Sequence, residues 1–380
     1  AQSLRLDPSD VFLKNLADPF EAACNDGESF GNFRLKDCVV RGRELIDWYE
    51  AKKQMEASRK EKGRYLIGVG MACGSHGTSM FPFMPDITGI TIKMNEDGTI
   101  VFTTGTSDMG NGSVTTQCIL SSDVLGIPPV HIAYIKTDTD AAMSDLGAYA
   151  SRGTYTSGHA AVKTAQIMRD KIAVLAAELL DTTTDNLDFH DDAVWCVDIH
   201  RKFVSMKEIA VHAREKHQED LSCSYMFHSE AGPMSSGAHF AKVQVDTVTG
   251  GIKVLEYAAV HDVGRVVNPM GITGQLEGGI SMGLGYALCE EMKLDSTGRN
   301  QTSSFKKYHI LNVKEMPKLS VDFLDSEEET GPYGAKSIGE CAVVPVAPAI
   351  ANAVSNAVGR QFYKLPIRPE DVLEALSLVK

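Results

Sequence analysis

Two periods alternate along this chain, one near 3.6 residues and one of two, and the switches between them mark its elements. Helical spacing opens it: Val11, Phe12, Leu13 and Leu16 follow a Pro8-Ser9 start, as in an amphipathic helix with a proline in its first turn. A second helix is expected over residues 42–62, with Leu45, Ile46, Trp48 and Tyr49 apolar and a charged end at 58–63. From Arg64 the pattern becomes strand-like over 65–71, 87–94 and 99–104, and Asn95-Glu-Asp-Gly98 joins the last two as a hairpin turn. A helix is expected over 113–125, a strand over 131–136, a long alanine-rich helix over 154–179, a short strand over 194–197 and a helix over 206–216. Strands over 239–246 and 251–261 share the turn Thr247-Val-Thr-Gly-Gly251, and helices follow over 270–292, 343–358 and 369–378. Hairpins mixed with helices predict an α+β fold. It divides into a helical segment 1–63 and a region 64–380 of two interleaved mixed subdomains, roughly 64–235 and 236–380.

Composition narrows the function classes. The 380 residues carry 37 basic and 50 acidic side chains, a net charge of −13, with no basic stripe that would track phosphates; nucleic acid is not an expected partner. No apolar run reaches the length of a membrane span and the N-terminal residues lack the pattern of a signal peptide, so no membrane partner and a cytoplasmic location are expected. Eight cysteines, Cys24, Cys38, Cys73, Cys118, Cys196, Cys223, Cys289 and Cys341, contain no C-x-x-C pair. Zinc and iron–sulfur sites draw on clustered cysteines, so neither is expected on this chain. Most of the eight read as small buried thiols, with Cys73 and Cys341 set apart by their glycine-containing segments.

Four segments could carry chemistry. Gly331-Pro-Tyr-Gly-Ala-Lys-Ser-Ile-Gly-Glu340 delivers one glutamate ahead of an expected helix. There the free N–H groups and the dipole favour a carboxylate, which suits a general base and equally an ordinary helix start. Gly105-Thr-Ser-Asp-Met-Gly-Asn-Gly112 passes from strand to helix, and its glycines offer backbone N–H groups to an anion; a plain strand-to-helix turn uses the same residues. Leu146-Gly-Ala-Tyr-Ala-Ser-Arg-Gly-Thr-Tyr155 reads either as a helix cap or as a second cradle, with Arg152 beside a phosphate or in a salt bridge. The fourth, residues 261–279, leaves a strand through His261-Asp262, turns at Asn268-Pro269 and enters a glycine-containing helix. Glycines there cost about 1 kcal/mol each against alanine, so the helix is expected to pack closely on another helix or a cofactor. His261 and Asp262 lack a third metal ligand at a useful spacing. P-loop, Rossmann and nucleophile-elbow patterns are absent from the sequence.

Together these segments resemble the molybdenum hydroxylases of the xanthine dehydrogenase and aldehyde oxidase family. Asp108-Met-Gly-Asn-Gly112 is similar to the family's [DE]-M-G-Q-G loop, and Ala150-Ser-Arg-Gly-Thr154 to its small-residue pterin cradle. Asp262-Val-Gly-Arg-Val-Val-Asn-Pro269 resembles D-x-G-x-x-x-N-P, Gly274-Gln-Leu-Glu-Gly278 resembles G-Q-x-E-G, and Lys336-Ser-Ile-Gly-Glu340 resembles K-x-x-G-E. The resemblance implies the second half of the molybdopterin-binding fold, because the family's molybdenum subunit is about twice this length. It implies that Glu340 is the catalytic base at a molybdenum centre carrying a sulfido or selenido ligand, the metal being held by the pterin dithiolene and not by side chains. Gln275, Asn111, the flanking Gly110 and Gly112, and the backbone of Ala150, Ser151, Arg152 and Gly153 would hold the molybdopterin, expected in a dinucleotide form. Two departures stand out: Asn111 replaces glutamine, and Cys341-Ala-Val343 replaces two prolines.

The half-length layout resembles the split molybdenum subunit of bacterial nicotinate dehydrogenase. It implies partner chains: a second molybdopterin subunit supplying the N-terminal half, an iron–sulfur subunit with [2Fe-2S] clusters, and an FAD subunit. The implied reaction is hydroxylation of a small N-heteroaromatic substrate with oxygen from water, nicotinate first. A purine dehydrogenase, a hydroxybenzoyl-CoA reductase or an aldehyde oxidoreductase subunit are alternatives. A non-catalytic scaffold paralogue and a metal-free module for an anionic ligand stand in different classes. The substrate segment would be 71–83, with Phe81 or Phe83 stacking on a ring and His76 meeting a carboxylate; a glycine-rich core strand is the competing use.

Overall fold

The computed structural model describes residues 1–4, 6–16, 31–135, 138–199 and 201–378. In chain order the helices are α1 Pro8–Asn15, α2 Leu35–Leu45, α3 Trp48–Glu61, α4 Ser113–Leu125, α5 Thr156–Leu180, α6 Met206–His217, α7 Pro269–Leu288, α8 Val346–Val358 and α9 Pro369–Leu378. The strands are β1 Tyr65–Gly77, β2 Ile87–Met94, β3 Ile100–Thr104, β4 Ile132–Ile135, β5 Leu187–His190, β6 Ala193–Cys196, β7 Phe203–Ser205, β8 Ser222–His228, β9 Met234–Asp246, β10 Ile252–Asp262 and β11 Lys318–Phe323.

The strands form three sheets, ordered β1-β9-β10-β11, β4-β3-β2-β8 and β5-β6-β7. The first has helices on both faces, and the two-residue period of β9 shows why. Ala238 and Phe240 face Cys38, Val39 and Trp48 of α2 and α3, whereas Ala241 and Val243 face Ile280 of α7 and Ile350 and Ala353 of α8. The second sheet packs Ile90, Ile92 and Phe102 against α4 and α5 through Leu125, Met168 and Ile172. The sheets interleave along the chain: β1 pairs with β9 across position 235/236, whereas β8 pairs with β2 within 64–235.

The helix expected over 42–62 is two helices, broken where Asp47 adopts a left-handed conformation (φ 49). The break lets α2 bury Leu35, Cys38 and Val39 while α3 buries Trp48, Ala51 and Met55 against one sheet. The strand starting at Tyr65 runs on to Gly77, and Gly68 and Gly70 are explained by α8. A Cβ at Gly70 would stand 2.2 Å from the Ala353 amide nitrogen, so the helix lies directly on the strand. The expectation of no membrane-length apolar run needs correcting. Residues Glu340–Val358 are long and apolar enough by length and composition to cross a membrane, with mean hydropathy 1.5. Two-thirds of that stretch is buried inside the protein, against β1 and β9. Cys24 and Lys136 lie outside the described residues.

Candidate cofactor-binding and active site

A cavity of about 630 Å³ opens where four segments meet: the loop before α4, the loop before α5, the first turns of α7, and residues 336–343. Gly110, Asn111, Ser151, Gly153, Gln275 and Glu340 all line it. These residues lie as far apart in sequence as Gly110 and Glu340, and folding gathers them onto one wall system.

Glu340 is not in the first turn of α8. It opens a single 3-10 turn, Glu340–Ala342, and α8 begins only at Val346 after Pro345. The helix dipole is therefore not what fixes it. Ser151 does so, since its Oγ donates to Glu340 Oε2 (2.7 Å) and lies 2.9 Å from the Glu340 N–H, which donates to it. A charge-assisted hydrogen bond of this kind holds a carboxylate in one orientation. Ser151 itself sits in the left-handed region (φ 51), next to Ala150 at φ 54, and two such non-glycine residues in succession are costly backbone that persists only when the surroundings enforce it. The side chain of Glu340 remains half exposed, and His76 Nε2 stands 3.5 Å from its Oε2. His76 Nδ1 donates to the Gly77 carbonyl (2.8 Å), so in the neutral ring Nε2 carries the lone pair. The histidine expected to meet a substrate carboxylate meets Glu340 instead.

The loop carrying Glu340 is anchored by a buried ion pair. Lys336 Nζ donates to Asp262 Oδ2 (2.6 Å) and to the Asn32 carbonyl (2.7 Å), and both charged side chains are fully buried. Asp262 also accepts from Ser326 Oγ and from the Arg34 and Gly264 amides. The His261-Asp262 pair thus divides across the two faces of β10. Asp262 takes the lysine, while His261 Nε2 lies 2.6 Å from His239 Nε2 in the core, and His239 Nδ1 lies 2.8 Å from Tyr257 OH.

The glycine loop before α4 differs from the expected anion cradle. Asp108 Oδ1 already accepts from the Gly110 and Gly112 amides (2.9 and 3.3 Å). Asn111 Oδ1 accepts from the amide and hydroxyl of Ser113, capping α4, while its Nδ2 makes no hydrogen bond to the described residues. Gly112, the N-cap of α4, and Ala150 flank the cavity without lining it. Arg152 is also structural, which corrects its phosphate reading. Its fully buried guanidinium pairs with Asp86 (Nε–Oδ1 2.6 Å) and Asp145 (Nη1–Oδ2 3.0 Å) and donates to the Gly147 and Ile87 carbonyls. It sets the course of the Ser151 turn from below.

Phe81 and Phe83 do not line the cavity, and Phe83 is 88% exposed. The seven described cysteines are all free; burial pushes Cys73 and Cys341 up to about 12, which keeps both as thiols. Arg265 was passed over in the sequence although it lies inside the segment 262–269. It lines the cavity beside Asn268, and its guanidinium makes no hydrogen bond or ion pair to the described residues, whereas Lys336, the other lining cation, is engaged by Asp262.

The family model of the molybdopterin cofactor-binding domain matches residues 41–317. The chain belongs to this family. It is 30% identical over 383 residues to the xanthine dehydrogenase molybdenum-binding subunit of Escherichia coli O157:H7, covering 100% of this chain and 50% of that protein. It is 25% identical over 397 residues to the nicotine 6-hydroxylase large subunit of Paenarthrobacter nicotinovorans, of which 48% is covered. The fold matches CO dehydrogenase from Oligotropha carboxidovorans (TM-score 0.92, 24% identity, all of this chain and 50% of that one). It also matches quinoline 2-oxidoreductase from Pseudomonas putida 86 (TM-score 0.91, 23% identity, 99% of this chain and 50% of that one). The family member described here thus spans about half the length of its relatives and corresponds to the C-terminal half of the molybdenum hydroxylase large subunit.

The cavity of this molybdopterin-binding chain fits the cofactor. A Cβ added at Gly110 or Gly278, both lining residues, would meet nothing within 4 Å, so the open space reaches the backbone. One residue further round α7, a Cβ at Gly279, which also borders the cavity, or at Gly283 would stand 2.7 Å from Ala342 Cβ or 2.4 Å from Val346 Cβ. The helix therefore uses its glycines twice, for close packing on residues 342–346 and for an open cavity wall at Gly278. The amide of Gln275 and the guanidinium of Arg265 make no hydrogen bond to the described residues, which leaves donors for a pterin and an acceptor-rich phosphate.

Proposed function

We propose that this chain is the C-terminal half of the substrate-oxidising unit of a multi-subunit molybdenum hydroxylase that hydroxylates an N-heteroaromatic ring, with Glu340 as the base. The observation that carries this reading is the Ser151-held carboxylate of Glu340 on the same cavity wall as Gln275 and the 110–111 loop. When bound, the molybdenum pterin, in a dinucleotide form with a sulfido or selenido ligand, supplies the two-electron redox chemistry. The side chains of this chain do the rest. Glu340 Oε1 is left without a bond from Ser151, which engages Oε2, and is the oxygen that takes a proton from the attacking water. Ser151 keeps that carboxylate aimed while the proton moves. The Gln275 amide and Asn111 Nδ2 hydrogen-bond the pterin, and Arg265 pairs with its phosphate.

Relatives named for xanthine, hypoxanthine and nicotine support a ring-nitrogen substrate. Nicotinate is the specific candidate. A purine is the second reading, favoured by the 30% identity to xanthine dehydrogenase subunits. The relatives' greater length supports a second molybdopterin subunit covering the exposed side of Glu340, with iron–sulfur and FAD subunits taking the electrons onward in a cytoplasmic complex. Glu340→Gln in the native complex tests the base assignment. Cofactor content should be unchanged and turnover should fall about 10²–10⁴-fold, the range for losing a general base. Turnover within a few-fold of wild type contradicts the assignment.

A further inference from the structure

Far from the cavity, three metal-binding side chains converge where α6 meets the end of α5. Glu178 stands in the last turn of α5, and His212 and His217 both come from α6. His212 Nε2 lies 3.1 Å and His217 Nε2 2.9 Å from the same carboxylate oxygen, Glu178 Oε2. All three ligand atoms fall within 4.8 Å of one another. The two imidazole rings stand edge to face with centroids 5.3 Å apart, both presenting Nε2 to one point. His217 can do so because it is the last residue of α6, where the chain leaves the helix through Gln218 at φ 53.

We propose that Glu178, His212 and His217 form a Zn²⁺ site that clamps α6 to the C-terminal end of α5, with the fourth position open to water. Two imidazoles and one carboxylate are a donor set that zinc takes in tetrahedral geometry. Ligands about 2.0–2.1 Å from the metal stand roughly 3.3 Å apart, so the observed 2.9 and 3.1 Å need to open by only a few tenths of an ångström. On binding, each ring gives the metal its Nε2 lone pair and keeps its proton on Nδ1, a tautomer change without loss of charge. Lys216 Nζ, 3.5 Å from Glu178 Oε2, is the competing cation; it is 62% exposed and free to swing into water. Glu178 is 22 residues beyond Thr156 on α5, roughly 33 Å at the helical rise, so the metal acts on the packing of α6 and not on the cavity chemistry. The site does not depend on the proposed hydroxylase activity.

The test is a Zn²⁺ titration of the chelator-stripped full chain against a chromophoric competitor, repeated on His212→Ala/His217→Ala and on Glu178→Gln. Wild type should take up one equivalent at micromolar Zn²⁺ and melt at higher temperature with it. Changing mere outer-shell partners of a metal costs about 10–100-fold, so the double variant should bind about a hundredfold more weakly or worse and lose the thermal shift. Glu178→Gln keeps a hydrogen-bonding amide between the rings, so it reports metal affinity even if the double variant folds poorly. X-ray absorption at the zinc edge should show nitrogen and oxygen ligands without sulfur. Failure of wild type to bind, equal affinity in both variants, or sulfur ligation by the cysteines would each overturn the proposal.

Discussion

Replacing Lys336 with methionine removes one half of a fully buried ion pair and keeps most of the side-chain volume. The Asp262 carboxylate then loses its only ion-pair partner among the described residues, the Nζ at 2.6 Å. Breaking a buried pair from one side costs about 3–5 kcal/mol, because the remaining charge is uncompensated. Three donors stay on Asp262, from Ser326, Arg34 and Gly264, which puts the expected loss near the lower end, about 3 kcal/mol. The Asn32 carbonyl also loses its donor. Denaturant unfolding followed by tryptophan fluorescence measures this. Trp48 packs edge to face on Phe240 of β9, with centroids 5.4 Å apart, so in a Trp195→Phe background the signal reports the sheet to which Asp262 belongs. The double variant Lys336→Met/Asp262→Leu should recover much of the loss, since exchanging both partners of a buried pair for apolar groups is often near neutral. A single-variant loss under about 1 kcal/mol, or a double variant that shows the full additive cost, would refute the reasoning.

Further outcomes follow from the same geometry. Ser151→Ala removes a hydrogen bond to a charged group, worth about 1.5–3 kcal/mol, so kcat of the complex should fall about tenfold to a hundredfold at unchanged pterin content; an unaltered kcat rules out a positioning role. Acid should destabilise the chain through its core histidines. Burial lowers His261 to about 3 and His239 well below its ordinary value, so the unfolded chain binds their protons first as pH falls below about 6.5, and stability drops from there toward pH 3 by up to about 1.4 kcal/mol per pH unit for each. His261→Gln should flatten that slope in unfolding experiments between pH 7 and 5, and an unchanged slope counts against it. Gln275→Ala should lower the pterin content of the purified complex while the melting temperature of the chain stays put; full pterin occupancy removes Gln275 from the cofactor site.

Much of this could be read from the sequence where the signal is local. The hairpin 87–104, the long helix α5 and the C-terminal helices follow their periodicity, and the family motifs mark every segment that lines the cavity. The misses are non-local. Asp86, which closes over Arg152 together with Asp145, comes from 66 residues away, and without it an arginine in a glycine-rich loop reads as an anion ligand. Glu340 looks like a helix start because an apolar run follows it, yet Pro345 delays α8 and the serine that holds the carboxylate comes from 189 residues away. Asp47 broke an expected single helix because two helices lie better on one sheet than one long one. Of the short meander β5-β6-β7 only β6 is expected from the sequence, and β8 and β11 are not, since their alternation is brief or half exposed.

The central claim is that the cavity bordered by Glu340, Gln275 and the 110–111 loop holds a molybdenum pterin. Elemental analysis of the natively purified complex, with its subunits resolved by mass, tests it most directly. Near-stoichiometric molybdenum together with iron and co-purifying chains is the predicted result. A complete complex without molybdenum would contradict it and leave Glu340 a carboxylate held by Ser151 with no redox partner.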